Sequence, residues 1–373
     1  MQIEAVVECP LHDSFRVRQV VGMFDLPLED HCRESFSVEL PDAEEPWQVG
    51  MIVGPSGSGK SSVAREAYPS QLITGYRWPA DRAVVDCFGE LPMKQITHAL
   101  TSVGFGSPPS WIKPYSVLSG GEQFRANLAR ALLSEQPLVV IDEFTSVVDR
   151  TVAKIGSAAV SRAIRSGRIA KRLVAVTCHY DVAEWLEPDW VLDMATGALS
   201  RRRLRRPEIE IEIFRCQRAA WRLFAKHHYL SADLNPVAQC YLACWDGQAV
   251  AFCALLSAIG RRGVWRISRL VVLPDYQGIG VGGRFSAAIG EMNREQSRRT
   301  TITTSHPAMI AHVRDSPRWR VRAVSKGGNH WGSFGRRKKI RSTSHGRTVV
   351  SAEYQGTPQR PGESHVLAQR DAA

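Results

Sequence analysis

Both halves of the chain predict an α/β fold, and three observations carry that expectation. Twice the sequence runs from an apolar, β-prone stretch through a glycine-rich turn into a helical pattern, at residues 47–61 and again at 265–289. A second apolar run, residues 137–141, ends in the adjacent carboxylates Asp142 and Glu143. The charge then divides near residue 200. Residues 201–373 hold 30 Lys and Arg against 12 Asp and Glu, a net of +18, whereas residues 1–200 carry a net of −7. At 373 residues the chain can bury two cores, so two α/β domains are expected.

Residues 47–53 read as a buried strand, and residues 54–61, GPSGSGKS, form a GxxxxGKS loop. Its glycines let backbone N–H groups turn inward around phosphate oxygens, and a helix starting near Lys60 presents its positive end to the same anion. Lys60 is placed to reach β- and γ-phosphates, and the Ser61 hydroxyl to ligate Mg2+. The expected nucleotide contacts are Gly54, Ser56, Gly57, Ser58, Gly59, Lys60, Ser61 and Ser62. The acidic pair stands where a buried strand delivers side chains to a ligand crevice. There Asp142 would hold Mg2+, and Glu143 would polarise the attacking water.

These motifs come in a set order with three others: LSGGEQ at residues 118–123, SVVD at 146–149, and His179 after the apolar strand 173–178. With that order, residues 1–200 resemble an ABC-type ATPase domain. The resemblance implies a head-to-tail homodimer closed around ATP. Ser119, Gly120, Gly121 and Gln123 of one subunit would face the γ-phosphate held by Lys60 of the other, and His179 would sense that phosphate. Only 58 residues separate Lys60 from Leu118. Transporter subunits of the family carry a longer insert there, so a non-transporter ABC protein is expected. Two positions stay open: the glutamine loop (Gln95 or Asp86) and the aromatic that stacks on adenine (Phe24 or Phe36).

No run approaches the ~20 apolar residues of a membrane helix, and the N-terminus lacks a basic segment before an apolar one. The eight cysteines have no zinc-ligand spacing. A cytoplasmic protein with reduced thiols and no membrane partner is the expectation. Residues 201–207, RRRLRRP, read as a basic linker, 208–357 as the second domain and 358–373 as a disordered tail. The excess positive charge of the second half suits a polyanionic partner, nucleic acid by default. Residues 336–341, RRKKIR, suit phosphate contacts, and Trp331 and Phe334 suit base stacking.

In the second half, residues 208–213 alternate as a strand and 218–224 read as an amphipathic helix. Strands at 239–245 and 249–256 flank the turn Asp246-Gly247, and a further strand covers 265–273. Residues 277–282, QGIGVG, open the next helix. This order, with the Q-x-x-G-x-G spacing, resembles the GNAT acetyltransferases. The resemblance implies a mixed central sheet and acetyl-CoA, or another acyl-CoA, as cofactor. Backbone amides of Gln277, Gly278, Gly280 and Gly282 would bind the pyrophosphate, and the strand near 270–273 would pair with the pantetheine arm. The acyl-transfer base is open between His228 and the pair Ser305 and His306. Residues 226–231, KHHYLS, also resemble Mom-like GNAT proteins of phage, which modify adenine in DNA. The expected whole is an ATPase coupled to an N-acyltransferase that acts on nucleic acid or a nucleic-acid-bound acceptor. The alternatives are a nucleic-acid clamp and an acetyltransferase for small amines or proteins.

Overall fold

The computed structural model describes residues 1–10, 13–25, 31–42, 44–201, 204–228, 233–326 and 347–356. The expected tail 358–373 and basic run 336–341, with Trp331, Phe334 and Tyr229–Ser231, lie outside the described residues. In chain order the elements are β1 (Gln2–Pro10), α1 (Phe15–Phe24), β2 (His31–Glu39), β3 (Val49–Val53), α2 (Lys60–Ala67), β4 (Leu72–Ile73), α3 (Met93–Ser102), α4 (Pro108–Trp111) and α5 (Gly120–Leu132). Next come β5 (Leu138–Ile141), α6 (Arg150–Arg165), β6 (Arg172–Thr177), α7 (Ala183–Leu186), β7 (Trp190–Asp193) and β8 (Ala198–Ser200). The second half supplies β9 (Glu212–Cys216), α8 (Trp221–Phe224), β10 (Gln239–Trp245), β11 (Gln248–Ser257), β12 (Val264–Val272), α9 (Val281–Glu295), β13 (Arg299–Thr304), α10 (Pro307–Asp315), β14 (Trp319–Lys326) and β15 (Thr348–Tyr354).

The chain divides into two compact units. The first joins Met1–Arg77 to Ala131–Arg206, and the second joins Trp78–Arg130 to the described residues from Pro207 onward. An insert of 78–130 therefore packs with the C-terminal half. Helix α5 crosses the border, since it continues past Arg130.

The first unit is built on a six-stranded sheet, ordered β4-β5-β6-β3-β7-β8 and parallel except at β8. Every residue of β3 is buried, as a strand covered on both faces requires. Gly50 is obligatory there, because a Cβ would fall 2.1 Å from the Trp190 indole. Beside this sheet β1 and β2 pair antiparallel, and Ala5, Val38 and Leu40 join Trp47, Ile52 and Trp190 in one core. Asp189 ties the start of β3. Its carboxylate accepts from Gln48 N–H (2.8 Å), Val49 N–H (3.0 Å) and the Arg165 guanidinium (2.9 Å). Burial works to raise the Asp189 carboxyl, but these bonds outweigh it and hold the group below its ordinary value.

The second unit carries the expected mixed sheet, here of seven strands ordered β14-β15-β13-β12-β11-β10-β9, with β12–β13 its parallel pair. Two expected elements shift. The strand at 208–213 begins at Glu212, because β10 offers partners to Glu212–Cys216 alone. The helix at 218–224 is one α-turn, Trp221–Phe224, flanked by 3-10 turns. Trp221 and Phe224 leave little more than that turn to bury, packing on Phe252 under β11. Among the described residues no helix is long and apolar enough to cross a membrane.

Candidate functional sites

In the first unit the parallel strands set the site. The chain leaves β3 in the middle of the sheet, and its neighbours β6 and β7 come from far later in sequence. Carboxyl ends of such parallel strands open a crevice where the order reverses. The glycine loop follows β3, Asp142 follows β5, and His179 lies just beyond β6. Gly57 (φ +81°) and Gly59 (φ +80°) adopt left-handed backbone that turns N–H groups inward. A side chain at Gly59 would also strike Phe36, whose ring lies 2.6 Å from the position of a Cβ. Phe36 thus covers the loop, while Phe24 stands exposed at the end of α1.

The Ser61 hydroxyl donates to Asp142 Oδ1 at 3.0 Å, so a helix start and a strand end 81 residues apart meet. Lys60 Nζ rests on the Pro55 carbonyl at 2.5 Å. The Ser58 hydroxyl is buried and has no partner among the described residues, which an anion in the loop would supply. Ser56 is exposed on the loop, and Gly54 fits against Ser58 and Met194 with no room for a Cβ. Ser62 is half-buried in the first turn of α2. These residues fit a nucleotide with its Mg2+.

The turn after Asp142 is strained. Glu143 (φ +51°) and the β-branched Thr145 (φ +71°) both hold left-handed backbone, a cost of about 1–3 kcal/mol each. Phe144 N–H donating to Val176 O at 2.8 Å fixes the turn to β6. Thr145 Oγ1 meets His179 Nδ1 at 3.2 Å. Burial, with Arg150 adding to it, pulls the His179 imidazole below its ordinary pKa, against Asp181 and Glu143. Glu143, Thr145 and His179 therefore stand together at the carboxyl ends of the interior strands β5 and β6. Thr145 carries no motif signal and escapes a sequence reading.

In the second unit, residues 118–123 form the start of α5. Ser119 and Glu122 make a reciprocal cap: Ser119 N–H donates to Glu122 Oε2 (3.0 Å), and Glu122 N–H donates to the Ser119 hydroxyl (3.3 Å). Ser110 also donates to Glu122 at 2.6 Å. Gln123 Nε2 donates to Tyr115 O and Leu118 O, both at 3.2 Å, and so braces the preceding turn. Ser119 and Gly120 are exposed and Gly121 half-buried. Of the open glutamine-loop candidates, Gln95 is exposed on α3 and Asp86 lies exposed in a 3-10 turn.

The other glycine turn follows β12. Gly278 (φ +92°) and Gly280 (φ +94°) hold left-handed backbone, and Gly280 caps the 15-residue helix α9, whose first N–H groups have no helical partner. Gly282 packs against Val272, 3.2 Å from where a Cβ would sit. The Gln277 N–H donates to Pro274 O at 3.2 Å, and its side chain is taken up as well, donating to Val272 O at 2.8 Å. Strands β12 and β13 pair from Val264↔Arg299 to Ile267↔Ile302, yet β12 runs on to Val272. The parallel strands thus part where a bulge at Ala254/Leu255 shifts the β11–β12 register. A cleft of about 360 Å³ opens at this point, lined by Asn235, Leu256, Arg266, Ile267, Ser268, Arg269 and Thr303. A strand end that has parted from its parallel neighbour, beside a helix N-terminus, fits an extended, pyrophosphate-bearing cofactor.

His228 does not line that cleft. It is buried, its ring edge-on to Trp221 at 5.7 Å. His306 is half-buried, desolvation pushes its imidazole below the ordinary pKa, and it donates from Nε2 to the Gly106 carbonyl at 2.8 Å.

Residues 207–311 match the model of the acetyltransferase (GNAT) family. In the N-terminal half the chain is similar to curated ATP-binding proteins. It is 30% identical over 196 residues to an Fe(3+) ions import ATP-binding protein of Rhodococcus jostii, covering 43% of this chain and 55% of that protein. It is 35% identical over 89 residues to a cytochrome c biogenesis ATP-binding export protein of Vibrio vulnificus, covering 24% of this chain and 40% of that protein. The chain thus spans about half the length of these relatives. Among solved structures, a bacterial ABC transporter cassette in dimeric form shares 17% identity over 42% of this chain and 86% of its own, with a TM-score of 0.34. A Bacillus subtilis acetyltransferase in complex with CoA shares 16% over 39% of this chain and 98% of its own, with a TM-score of 0.31. The chain thus joins a part similar to ABC-type ATP-binding proteins to a stretch, 207–311, that matches the GNAT model.

Proposed function

We propose that this chain hydrolyses ATP as an ABC-type homodimer and uses that cycle to control a GNAT-type acyl transfer to nucleic acid or a nucleic-acid-bound acceptor. The domains carrying these activities are assigned as residues 1–200 and 208–357, joined by the basic linker 201–207. The observation that carries the reading is the Ser61–Asp142 bond at 3.0 Å with Glu143 adjoining it, a ready pair of Mg2+ ligands beside a carboxylate base. Bound ATP with Mg2+ supplies the phosphoanhydride. Lys60 and the loop N–H groups hold its phosphates, Glu143 takes the proton of the attacking water, and His179 contacts the γ-phosphate. Ser119, Gly120, Gly121 and Gln123 of the partner subunit complete the site.

Bound acetyl-CoA supplies an activated acyl thioester. Backbone N–H groups of 278–282 hold its pyrophosphate, and the end of β12 that extends past β13 orients its arm. The net charge of +18 over residues 201–373 supports a polyanionic acceptor. Burial of His228 against Trp221 favours a second reading, in which the GNAT fold is a nucleic-acid clamp with no acyl chemistry.

The test is mass spectrometry of nucleosides after incubating the protein with ATP, Mg2+, acetyl-CoA and DNA. An acyl mass shift that needs ATP and disappears in Gly280→Asp is the expected result. Absence of acetyl-CoA binding at millimolar concentration would leave the clamp.

A further inference from the structure

Helix α5, which opens on the LSGGEQ signature peptide of residues 118–123, and the glycine loop before α9 are tied by one buried side chain. Arg125, 1% exposed, lies on α5 four residues after Gly121. Its guanidinium donates to the Gly121 carbonyl at 3.3 Å and to the Asp275 carbonyl at 3.1 Å. Gly121 belongs to the signature peptide, and Asp275 to the 3-10 turn that leads into the glycine loop before α9. The Asp275 carboxylate lies 3.9 Å from the same guanidinium. A buried guanidinium that satisfies two carbonyls cannot follow one and release the other without stranding a polar group, at a cost of about 1–3 kcal/mol.

A second tether reinforces the first. Gly106 N–H donates to Gln277 Oε1 at 2.8 Å, while the Gly106 carbonyl accepts from His306. Gly104 (φ +83°) sits so close that a Cβ would fall 2.6 Å from the Gln277 carbonyl. The root of the insert is closed as well. Trp78 stacks on Tyr115 at 4.8 Å, donates to Asn127 at 2.8 Å and carries Arg130 over its ring at 4.7 Å. Trp78 and Arg130 are the two residues at which the chain crosses between the units.

We propose that Arg125 is a positioning residue that couples the two ligand sites: engagement of Gly121 by ATP shifts the Asp275–Gly280 loop and so sets acyl-CoA affinity. This inference rests on the ATP and acyl-CoA sites proposed above and adds the path between them. Coupling between binding sites is reciprocal, so acyl-CoA must alter ATP affinity by the same factor.

Isothermal titration on the full chain carrying Glu143→Gln, which holds ATP unhydrolysed, tests it. The acetyl-CoA Kd is measured with and without ATP–Mg2+, and the ATP Kd with and without acetyl-CoA. Equal factors of about 5–150 in the two directions are expected. Arg125→Met should bring both factors to about one while each ligand alone still binds, and Arg125→Lys, with one compact cation for two carbonyls, should restore part of the coupling. If Arg125→Met melts early by circular dichroism, Gly106→Ala decides instead. Its Cβ would lie 2.8 Å from Gln277 Oε1, breaking the second tether, and the factors should again fall toward one. Both ligands binding with no mutual effect in the wild type overturns the coupling alone, as does a factor unchanged in both variants. No acetyl-CoA binding at all overturns the acyl-CoA site and the coupling with it.

Discussion

The two glycine loops use the same local device in opposite settings. At residues 54–59 the loop holds polar groups for a ligand: the buried Ser58 hydroxyl has no partner among the described residues, and Lys60 donates to the loop's own Pro55 carbonyl. At 277–280 the loop is already braced, because Gln277 is held by Gly106 and Asp275 by Arg125. Positive φ and a helix N-terminus make either segment able to hold phosphate. The neighbours decide whether the ligand completes the loop or must work against what already holds it.

That contrast can be broken most strongly at the first loop. Glu143→Gln should lower ATP hydrolysis by roughly 10²–10⁴-fold while ATP binding persists, read as phosphate release beside nucleotide titration. An unchanged rate would remove Glu143 from the role of base. Gly280→Ala should weaken acetyl-CoA binding by about tenfold, since φ +94° costs an L-residue roughly 1–2 kcal/mol. Equal affinity for acetyl-CoA would mean that this turn does not hold the cofactor. A smaller effect is expected outside both loops. Asp189→Ala should destabilise the first unit by about 1–3 kcal/mol, because two N–H groups of the β3 approach lose their acceptor. The Asp189 carboxyl is held below its ordinary pKa. Its contribution is therefore complete above about pH 4 and fades as pH falls through the lowered folded value. Denaturant melts of wild type and variant should converge at acid pH.

Much of this was legible because it is local. A strand, a glycine loop and a helix start are set by residues adjacent in sequence, and both loops fall where residues 54–61 and 277–282 place them. The mixed sheet was expected from the resemblance to the GNAT acetyltransferases. Contacts between distant segments left no such trace. Arg125 reads as one more basic residue on an amphipathic helix, and nothing near it announces Asp275, 150 residues on. His228 misleads in the other direction. A histidine pair before a polar stretch suggests a reactive site, but Trp221 buries it. The alternating residues 208–213 have strand-forming character, yet a strand also needs a neighbour, and β10 begins to pair only at Glu212.

The insert has a consequence for biosynthesis. Its bonds to Asp275, Gln277 and His306 span 150, 171 and 200 residues. At roughly 5–20 residues per second, residues 78–130 leave the ribosome on the order of ten to forty seconds before the groups they bind. Through that interval the Gly106 N–H lacks the Gln277 side chain, and Arg125 lacks the Asp275 carbonyl. Closure of the second unit therefore waits on residues far along the chain and has high contact order, and a nascent chain halted near residue 250 holds a signature helix without its counterpart.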